Sequence, residues 1–375
     1  MDFDLTEEQR SLQKTVRQFT EREIEPVAHL MDLEGRLPDD LIKKMAKQEL
    51  LGMTLPVEYG GSNYSSLDCV LAIEQLSYSG TGAWWLVAFC NSIPGCIVEF
   101  GSEEQKEKYL RVVCEGNAYP SIQFTEADTG SDPDMLITRA VPEGDNYVIN
   151  GTKRFSTFGA RDGYAILYAR DDSGKCTAFI TEKNIGGYSA THNFELMGSG
   201  GVETVDVRFD NLKLPKESIL GEKGRGMKIL QSWVAYEKNQ QCGACLGIGN
   251  AALDEAIYYV KNRRVRGKSQ IGLQGIQWML ADIYTQLEAA RCFTYRAAFL
   301  KDKGAVNRMT EAAATKLFVV PSIVAVVNTA RQIHGAYGYT KEFKIERLYR
   351  AIAGASAIAV SLEINKSIVA SSLIK

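Results

Sequence analysis

Residues 221–249 read GEKGRGMKILQSWVAYEKNQQCGACLGIG, and how this stretch folds governs the reading of its surroundings. A glycine-punctuated loop (Gly221, Gly224, Gly226) leads into a run of apolar and small residues that reads as a long helix. In its middle stand Glu237, Lys238, Asn239, Gln240 and Gln241, an unbroken polar run. Such a run covers more than one turn at about 3.6 residues per turn, so no single solvent face holds it all. A charge on a helix that is apolar on either side needs a partner or a task. The plainer alternative is that the helix surfaces here and the run is solvated.

The chain has 375 residues, long enough for two or three domains and a sizeable core. It is 45 % hydrophobic and 24 % charged, an ordinary soluble composition. Lys plus Arg is 43 and Asp plus Glu is 46, a net charge of −3 that argues against binding nucleic acid by bulk charge. The opening MDFDLTEEQR is acidic with no apolar core, so no secretory signal or transit peptide is expected. The longest apolar run, Leu317 to Val327, is too short to span a bilayer and contains Pro321, so no membrane segment is expected. The 8 cysteines are scattered and do not form a disulfide framework. Cys242 and Cys245 make a CxxC pair without a second ligand pair, and read as small buried helix residues. With 3 widely separated histidines there is little to build a zinc or iron site. Cytoplasm is the expected location.

Outward from the central stretch, three blocks appear. Residues 1–117 read as helical, with capping boxes at Thr6-Glu-Glu-Gln9 and Ser102-Glu-Glu-Gln105. Leu12, Val16, Phe19, Ile24 and Val27 keep a helical spacing. Further helices are expected from Pro38 to about Gln48, over 65–79, over 83–100, and from Ser102 to about Cys114. Residues 118–222 read as strands and turns, a small β-barrel domain. Asn150-Gly151 carries a hairpin signal, Asp171-Asp-Ser-Gly174 joins a second hairpin, and Val205 to Asp210 alternates in and out. Residues 223–375 read as a four-helix bundle, with helices at about 226–262, 272–300, 307–336 and 341–372. The fold class is therefore α+β in three domains.

Three segments stand out. Ile122 to Asp132 ends a strand in a polar loop carrying Gly130, a form that presents backbone N–H groups and hydroxyls to a ligand. Gln332-Ile-His-Gly-Ala-Tyr-Gly-Tyr339 breaks a long helix, and Arg263-Arg-Val-Arg-Gly-Lys268 is a basic cluster at a helix end. Alone they read as a strand exit, a helix terminus and a dipole complement. Together and in this order they resemble the acyl-CoA dehydrogenase family. The resemblance covers essentially the whole chain, through Pro56-Val-Glu-Tyr-Gly-Gly61, Phe100 to Tyr109, Phe124-Thr-Glu126, Gly130-Ser-Asp132, Gly151-Thr-Lys153, Gly221 to Gly226, Gln332-Ile-His-Gly335 and Arg347-Leu-Tyr-Arg350.

The resemblance implies FAD between the β domain and the bundle. It assigns flavin contacts to Ile122, Phe124, Thr125, Gly130, Ser131, Phe155, Ser156, Thr157 and Ser361, with Thr125 and Thr157 bonding the ring. Phe155 stands where the family has tryptophan. Arg263, Arg266, Gln274, Gln332, Gly335 and Ala336 match contacts that a neighbouring subunit makes to the adenosine pyrophosphate, which implies an oligomer, usually a tetramer. Arg266 replaces an aromatic residue there, and its guanidinium also stacks. The implied substrate is an acyl-CoA or enoyl-CoA thioester, touched by Ser131, Tyr236 and Lys238. The implied electron partner is an electron-transfer flavoprotein.

The family removes an α-proton with a carboxylate while a hydride leaves the β-carbon for flavin N5. In most members the base lies near the C-terminus, at a position that falls here on Ala359, which takes no proton. A minority, such as isovaleryl-CoA dehydrogenase and the crotonobetainyl-CoA reductase group, carry it on the first long bundle helix, at the position of Glu237. Their Glu-Arg pair is Glu237-Lys238 here. Glu363, one helical turn beyond Ala359, is the competing base. A flavin oxidase or hydroxylase on a non-thioester substrate, or an inactive flavoprotein, are the alternatives in function. Asn239, Gln240 and Gln241 are polar neighbours for a pocket meant for a plain alkyl chain, which points to a short or polar acyl group.

Overall fold

The structure, a computed structural model, describes residues 4–132 and 135–374. It opens with helices α1 (Glu7–Phe19), α2 (Ala28–Glu34), α3 (Leu41–Lys47), α4 (Ser66–Ser77), α5 (Ala83–Phe100), α6 (Glu103–Tyr109) and α7 (Arg111–Cys114). Both expected capping boxes form, at Thr6 and Ser102, and Ser65 with Asp68 makes a third. The apolar stripe expected through Val27 does not stay one helix. A wide π turn at Thr20–Ile24 and a tight turn at Glu25–Val27 separate α1 from α2. Pro26 lacks the N–H that a continuing helix requires there. The core beneath these helices is built from Phe19, Leu41, Met45, Leu71, Ile73 and Leu86 among others.

The middle block carries β1 (Ser121–Gln123), β2 (Arg139–Glu143), β3 (Asn146–Thr157), β4 (Tyr164–Arg170), β5 (Cys176–Glu182), β6 (Tyr188–Asn193) and β7 (Thr204–Pro215). They pair in the order β1-β4-β2-β3-β7-β6, with β5 on β4. Ile149, Leu167, Phe179, Val207, Phe209 and Leu212 fill the interior. Among the described residues no ladder joins β1 to β6. The side chains bridge them instead, Gln123 Nε2 donating to Tyr188 Oη at 3.2 Å, so the barrel is partly open. The hairpin at Asp171–Gly174 forms as expected. The one expected at Asn150-Gly151 does not: both residues lie inside β3, at a bulge against β7. Gly151 has φ +152, and a Cβ there would collide with Thr138. Its glycine serves a close approach within a strand, not a turn.

The last block holds α8 (Gly226–Asn262), a small hairpin of β8 (Arg264–Val265) and β9 (Lys268–Ser269), then α9 (Gln274–Asp302), α10 (Arg308–Ile333), α11 (Lys344–Ala353) and α12 (Leu362–Leu373). α8, α9 and α10 pack mutually, α12 lies on α10, and α8 also packs on α4 and α5. The tail expected as one helix is two, because the chain breaks at residues 354–361, where Ala359 has φ +57 and Val360 φ +74. Two helices, α5 and α10, are long and apolar enough by composition to cross a bilayer, whereas the sequence reading expected none. Within this fold 78 % of the apolar window of α5 and 50 % of that of α10 are buried. All eight cysteines are free, and Cys242 and Cys245 are buried on α8. Among the described residues no cluster of potential metal ligands occurs.

Candidate active site

No member of the polar run is solvated. Glu237, Lys238, Asn239, Gln240 and Gln241 are each between 0 % and 3 % exposed, so the surfacing-helix alternative is excluded. At about 100° per residue, Glu237, Gln241, Ala244, Cys245 and Ile248 share one stripe of α8. The last four line a small cavity, with Trp84, Trp85, Ala355 and Ile358 opposite and room for about one water molecule. Glu237 stands one turn away on the same stripe.

Neither carboxylate oxygen of Glu237 has a hydrogen-bond partner among the described residues. Burial pushes its pKa up to about 7, against the pull of the Lys316 and Lys238 ammonium groups. An isolated buried carboxylate is costly, and the group holds its proton more tightly in consequence. Lys238 is pushed down to about 8 by burial and by Lys316, and its Nζ contacts Met309 Sδ at 3.6 Å.

The Ala359 position lies beside this stripe. Gln241 Nε2 donates to the Ala355 carbonyl at 3.1 Å and the Ile358 carbonyl at 3.5 Å. Lys316, fully buried on α10, donates to three successive carbonyls: Ile358, Ala359 at 2.9 Å and Val360 at 2.8 Å. That ammonium holds the break in its left-handed form, which a β-branched Val360 does not adopt unaided. Glu363 does not lie one helical turn beyond Ala359, because the break intervenes; it is exposed in the first turn of α12. Ser361 caps that helix, accepting from the Ile364 N–H at 3.4 Å.

A second cluster joins the ends of β1 and β3. The Arg154 N–H donates to the Thr125 carbonyl at 2.7 Å. Lys153 and Glu126 form an ion pair at 2.7 Å with side chains 0 % and 4 % exposed. Burial works to raise the Glu126 pKa, but the Lys153 ammonium prevails and holds it below the usual value. Glu126 also accepts the N–H groups of Ile137 (2.6 Å) and Thr138 (3.0 Å). The Phe124-Thr-Glu126 and Gly151-Thr-Lys153 segments thus meet as the pair that anchors the 124–132 loop. Between Lys153 and Ser156 a bulge interrupts the pairing of β3 with β7, and Phe155, at φ +57, is turned out with 56 % of its surface exposed. Its ring stands 4.9 Å from that of Phe194. Ile122, Phe124, Thr125 and Thr157 are half-buried, Ser156 is buried, and Gly130 and Ser131 are exposed. An outward aromatic face beside two accessible threonines is a donor set suited to a flat heteroaromatic ring such as a flavin.

A third cluster lies at the far end of α8. Arg263, Arg266, Gln274, Gln332, Gly335 and Ala336 are all exposed. The segments meet where Gln270 Nε2 donates to the Ile333 carbonyl at 3.4 Å and the Arg263 guanidinium stands 5.8 Å from the Tyr337 ring. Arg266, at φ +50, shares the hairpin turn with Gly267 at φ +78, as a two-residue hairpin requires. From Glu237 to Arg263 the helix rises about 39 Å at about 1.5 Å per residue. Within one chain this cluster is therefore remote from Glu237. Tyr236 also turns away from the Glu237 stripe. The Lys301 ammonium stands 3.1 Å from its ring centroid, in a separate cavity with Ser66, Cys69, Asn239 and Gln240.

Sequence reading missed Lys316, Lys301 and the Trp84–Trp85 wall. Lys316 had a visible signal, a lone charge among Ala312, Ala313, Val319 and Val320. The tryptophans fall within the helix expected over 83–100, and nothing in that apolar run marks a cavity wall.

Domain descriptions of the acyl-CoA dehydrogenase family match along the chain: the N-terminal domain over residues 6–117, the middle domain over 121–212 and the C-terminal domain over 224–374. The chain is 35 % identical to a 3-(aryl)acrylate reductase of Clostridium sporogenes, over 99 % of each chain. It is 35 % identical to an acryloyl-CoA reductase (NADH) of Anaerotignum propionicum, over 100 % of this chain and 96 % of that one. It is 34 % identical to the CarC subunit of a caffeyl-CoA reductase-Etf complex of Acetobacterium woodii, over 92 % of both. Butyryl-CoA dehydrogenase from Megasphaera elsdenii superposes with a TM-score of 0.97 at 31 % identity, covering 100 % of each chain. Helical, sheet and helical blocks in this order, matched end to end, place the chain in the acyl-CoA dehydrogenase family, flavin oxidoreductases that interconvert acyl-CoA and enoyl-CoA thioesters.

Proposed function

We propose that this chain binds FAD and interconverts an acyl-CoA and its 2,3-enoyl-CoA, with Glu237 moving the α-proton. The observation that carries this reading is the Glu237 carboxylate: buried, without a hydrogen-bond partner among the described residues, raised to about 7 and beside a cavity. A base poised near neutrality is what abstraction of a weakly acidic proton needs. In the oxidative direction ionised Glu237 accepts the α-proton; in the reductive direction its acid form returns it. FAD, when bound, supplies the hydride exchange with the β-carbon. Lys238 gives a positive charge next to the base, which favours its ionised form. Ala359 offers no acceptor, and Glu363 faces solvent.

Thr125, Phe155, Ser156 and Thr157, with Ile122, Phe124, Gly130 and Ser131, are the proposed flavin contacts of the same chain. The remote set of Arg263, Arg266, Gln274, Gln332, Gly335 and Ala336 is proposed to reach the cofactor of a neighbouring copy, in a homotetramer. The named Etf complex of one relative supports an electron-transfer flavoprotein as redox partner. The eight free thiols suit a reducing compartment, the cytoplasm.

The test is a panel of acyl-CoA and enoyl-CoA thioesters mixed anaerobically with the oxidised and the reduced protein. The purified protein should be yellow, and one thioester should bleach or restore the colour. Oxygen consumption with an amine or nitroalkane, and silence with every thioester, would contradict the proposal.

A further inference from the structure

Lys183 directly follows β5 and is buried. Its Nζ donates to two carbonyls, those of Tyr119 and Phe158, each at 2.7 Å. Tyr119 stands two residues ahead of β1, and Phe158 comes immediately after β3. One side chain therefore ties the entry of β1 to the exit of β3. These are the two strands whose ends carry the proposed flavin contacts: Ile122, Phe124 and Thr125 on one, Phe155, Ser156 and Thr157 on the other. The backbone around the tie is close-set. The Lys183 N–H donates to the Gly163 carbonyl at 3.1 Å, and the Tyr119 N–H to the Asp162 carbonyl at 2.9 Å. A Cβ on Gly163 would stand 2.7 Å from the Tyr119 nitrogen, so glycine is required for this approach. Phe158 is fully buried at φ +56, a left-handed conformation that a bulky residue keeps only where its surroundings fix it. Its N–H donates to the Glu203 carbonyl at 2.8 Å, and its own carbonyl is one of the two that Lys183 holds.

The tie also carries a charge. The acidic groups that act on the Lys183 ammonium are Asp162, between β3 and β4, and Glu203, ahead of β7, with the Cys90 thiol of α5 the other titratable neighbour. Neither carboxylate forms an ion pair with it among the described residues, and Glu203 is taken by Arg161. Burial pushes the Lys183 pKa down to about 7, against the pull of Asp162 and Glu203. A buried ammonium bonded only to carbonyls is costly. A ring that gains negative charge on reduction offsets part of that cost.

We propose that Lys183 is a positioning residue of the flavin site: it sets β1 against β3 so that their contacts meet one ring, and its ammonium, bonded one residue past Thr157, favours the reduced flavin. This rests on the FAD reading above. A core lysine that only satisfied two carbonyls would support folding and leave the potential of a bound flavin unmoved.

The test uses the purified holoenzyme and the variants Lys183→Met and Lys183→Gln. Methionine keeps the length and removes both donors and charge; glutamine keeps N–H donors and removes the charge. FAD retention on dilution is followed by flavin fluorescence, and the midpoint potential of the bound flavin by anaerobic reduction against a reference dye at pH 6, where Lys183 is charged. Lys183→Met should weaken FAD retention about tenfold, and Lys183→Gln by less. Both should shift the two-electron equilibrium about tenfold towards oxidised flavin, a potential about 30 mV lower. Should Lys183→Met fail to fold by circular dichroism, Lys183→Gln decides alone. A parental potential in either folded variant overturns the proposal, while FAD bound to the parent protein leaves the cofactor reading intact. A parent protein that binds no FAD overturns both.

Discussion

Glu237 ties its chemistry to a measurable stability. Burial raises its pKa from 4.5 to about 7, so the folded protein keeps a proton that the unfolded chain releases. Stability from that proton is complete below pH 4.5 and is lost as pH rises through about 7. The shift corresponds to about 3 kcal/mol. Glu237→Gln removes the slope: near pH 4.5 variant and parent should melt alike, and at pH 8 the variant should melt a few degrees higher, read by thermal denaturation at several pH values. Oxidative turnover should rise as pH passes about 7, because the base must be ionised, and reductive protonation should fall over the same range. Lys316 is the second residue to change. Lys316→Met strips three half-buried carbonyls of their donor and should cost about 1–3 kcal/mol in denaturant unfolding. It should also move the pH midpoint of flavin reduction upward, since the ammonium holds the Glu237 pKa down. The polar run was visible in the sequence; its burial was not, because α4, α5 and the residue 354–361 break that cover it come from distant parts of the chain.

The glycines of the opening stretch explain how α8 comes so close to α4. A Cβ on Gly243 would stand 3.0 Å from the Val70 carbonyl oxygen, and one on Gly247 would run into the Glu74 carbonyl and the Ser77 hydroxyl. Gly247→Ala must push the two helices apart, and should destabilise the protein by about 2–3 kcal/mol in chemical denaturation. An effect below about 0.5 kcal/mol, the size expected of an unconstrained surface site, would contradict that packing. Local pattern sufficed for α5 and α8, whose long runs and flanking glycines mark both ends. It failed where tertiary contacts decide. Asn150-Gly151 has the composition of a hairpin turn, yet Thr138 packs against the glycine inside β3. The tail from Lys344 keeps a helical composition through Ala355-Ser-Ala-Ile-Ala-Val360, yet Lys316, far away in sequence, captures its carbonyls and breaks it.

At the scale of the molecule, α9 leaves Trp278, Tyr284 and Phe299 at 62 %, 60 % and 49 % exposed, and α10 leaves Phe318 at 41 %. An apolar surface of that kind on a bundle is suited to association. On the proposed reading the remote cluster around Gly335 serves a neighbouring copy. Sedimentation should give four chain masses. Gln332→Leu, at an exposed position near the end of α10, should weaken FAD retention on dilution about tenfold while the fold stays intact by circular dichroism. A yellow, fully active monomer would contradict the shared site. The order of three blocks was legible in the chain because the apolar period changes at both junctions. The proposed association rests on resemblance, since in the sequence an exposed aromatic in a helix looks like a buried one.

The most direct test is rapid anaerobic mixing of the oxidised protein and of Glu237→Gln with the thioester that bleaches the parent best. Bleaching should fall by about a thousandfold or more in the variant, the loss of an essential base, while calorimetry shows the same thioester still bound. Bleaching at the parental rate by Glu237→Gln would show that another group takes the α-proton.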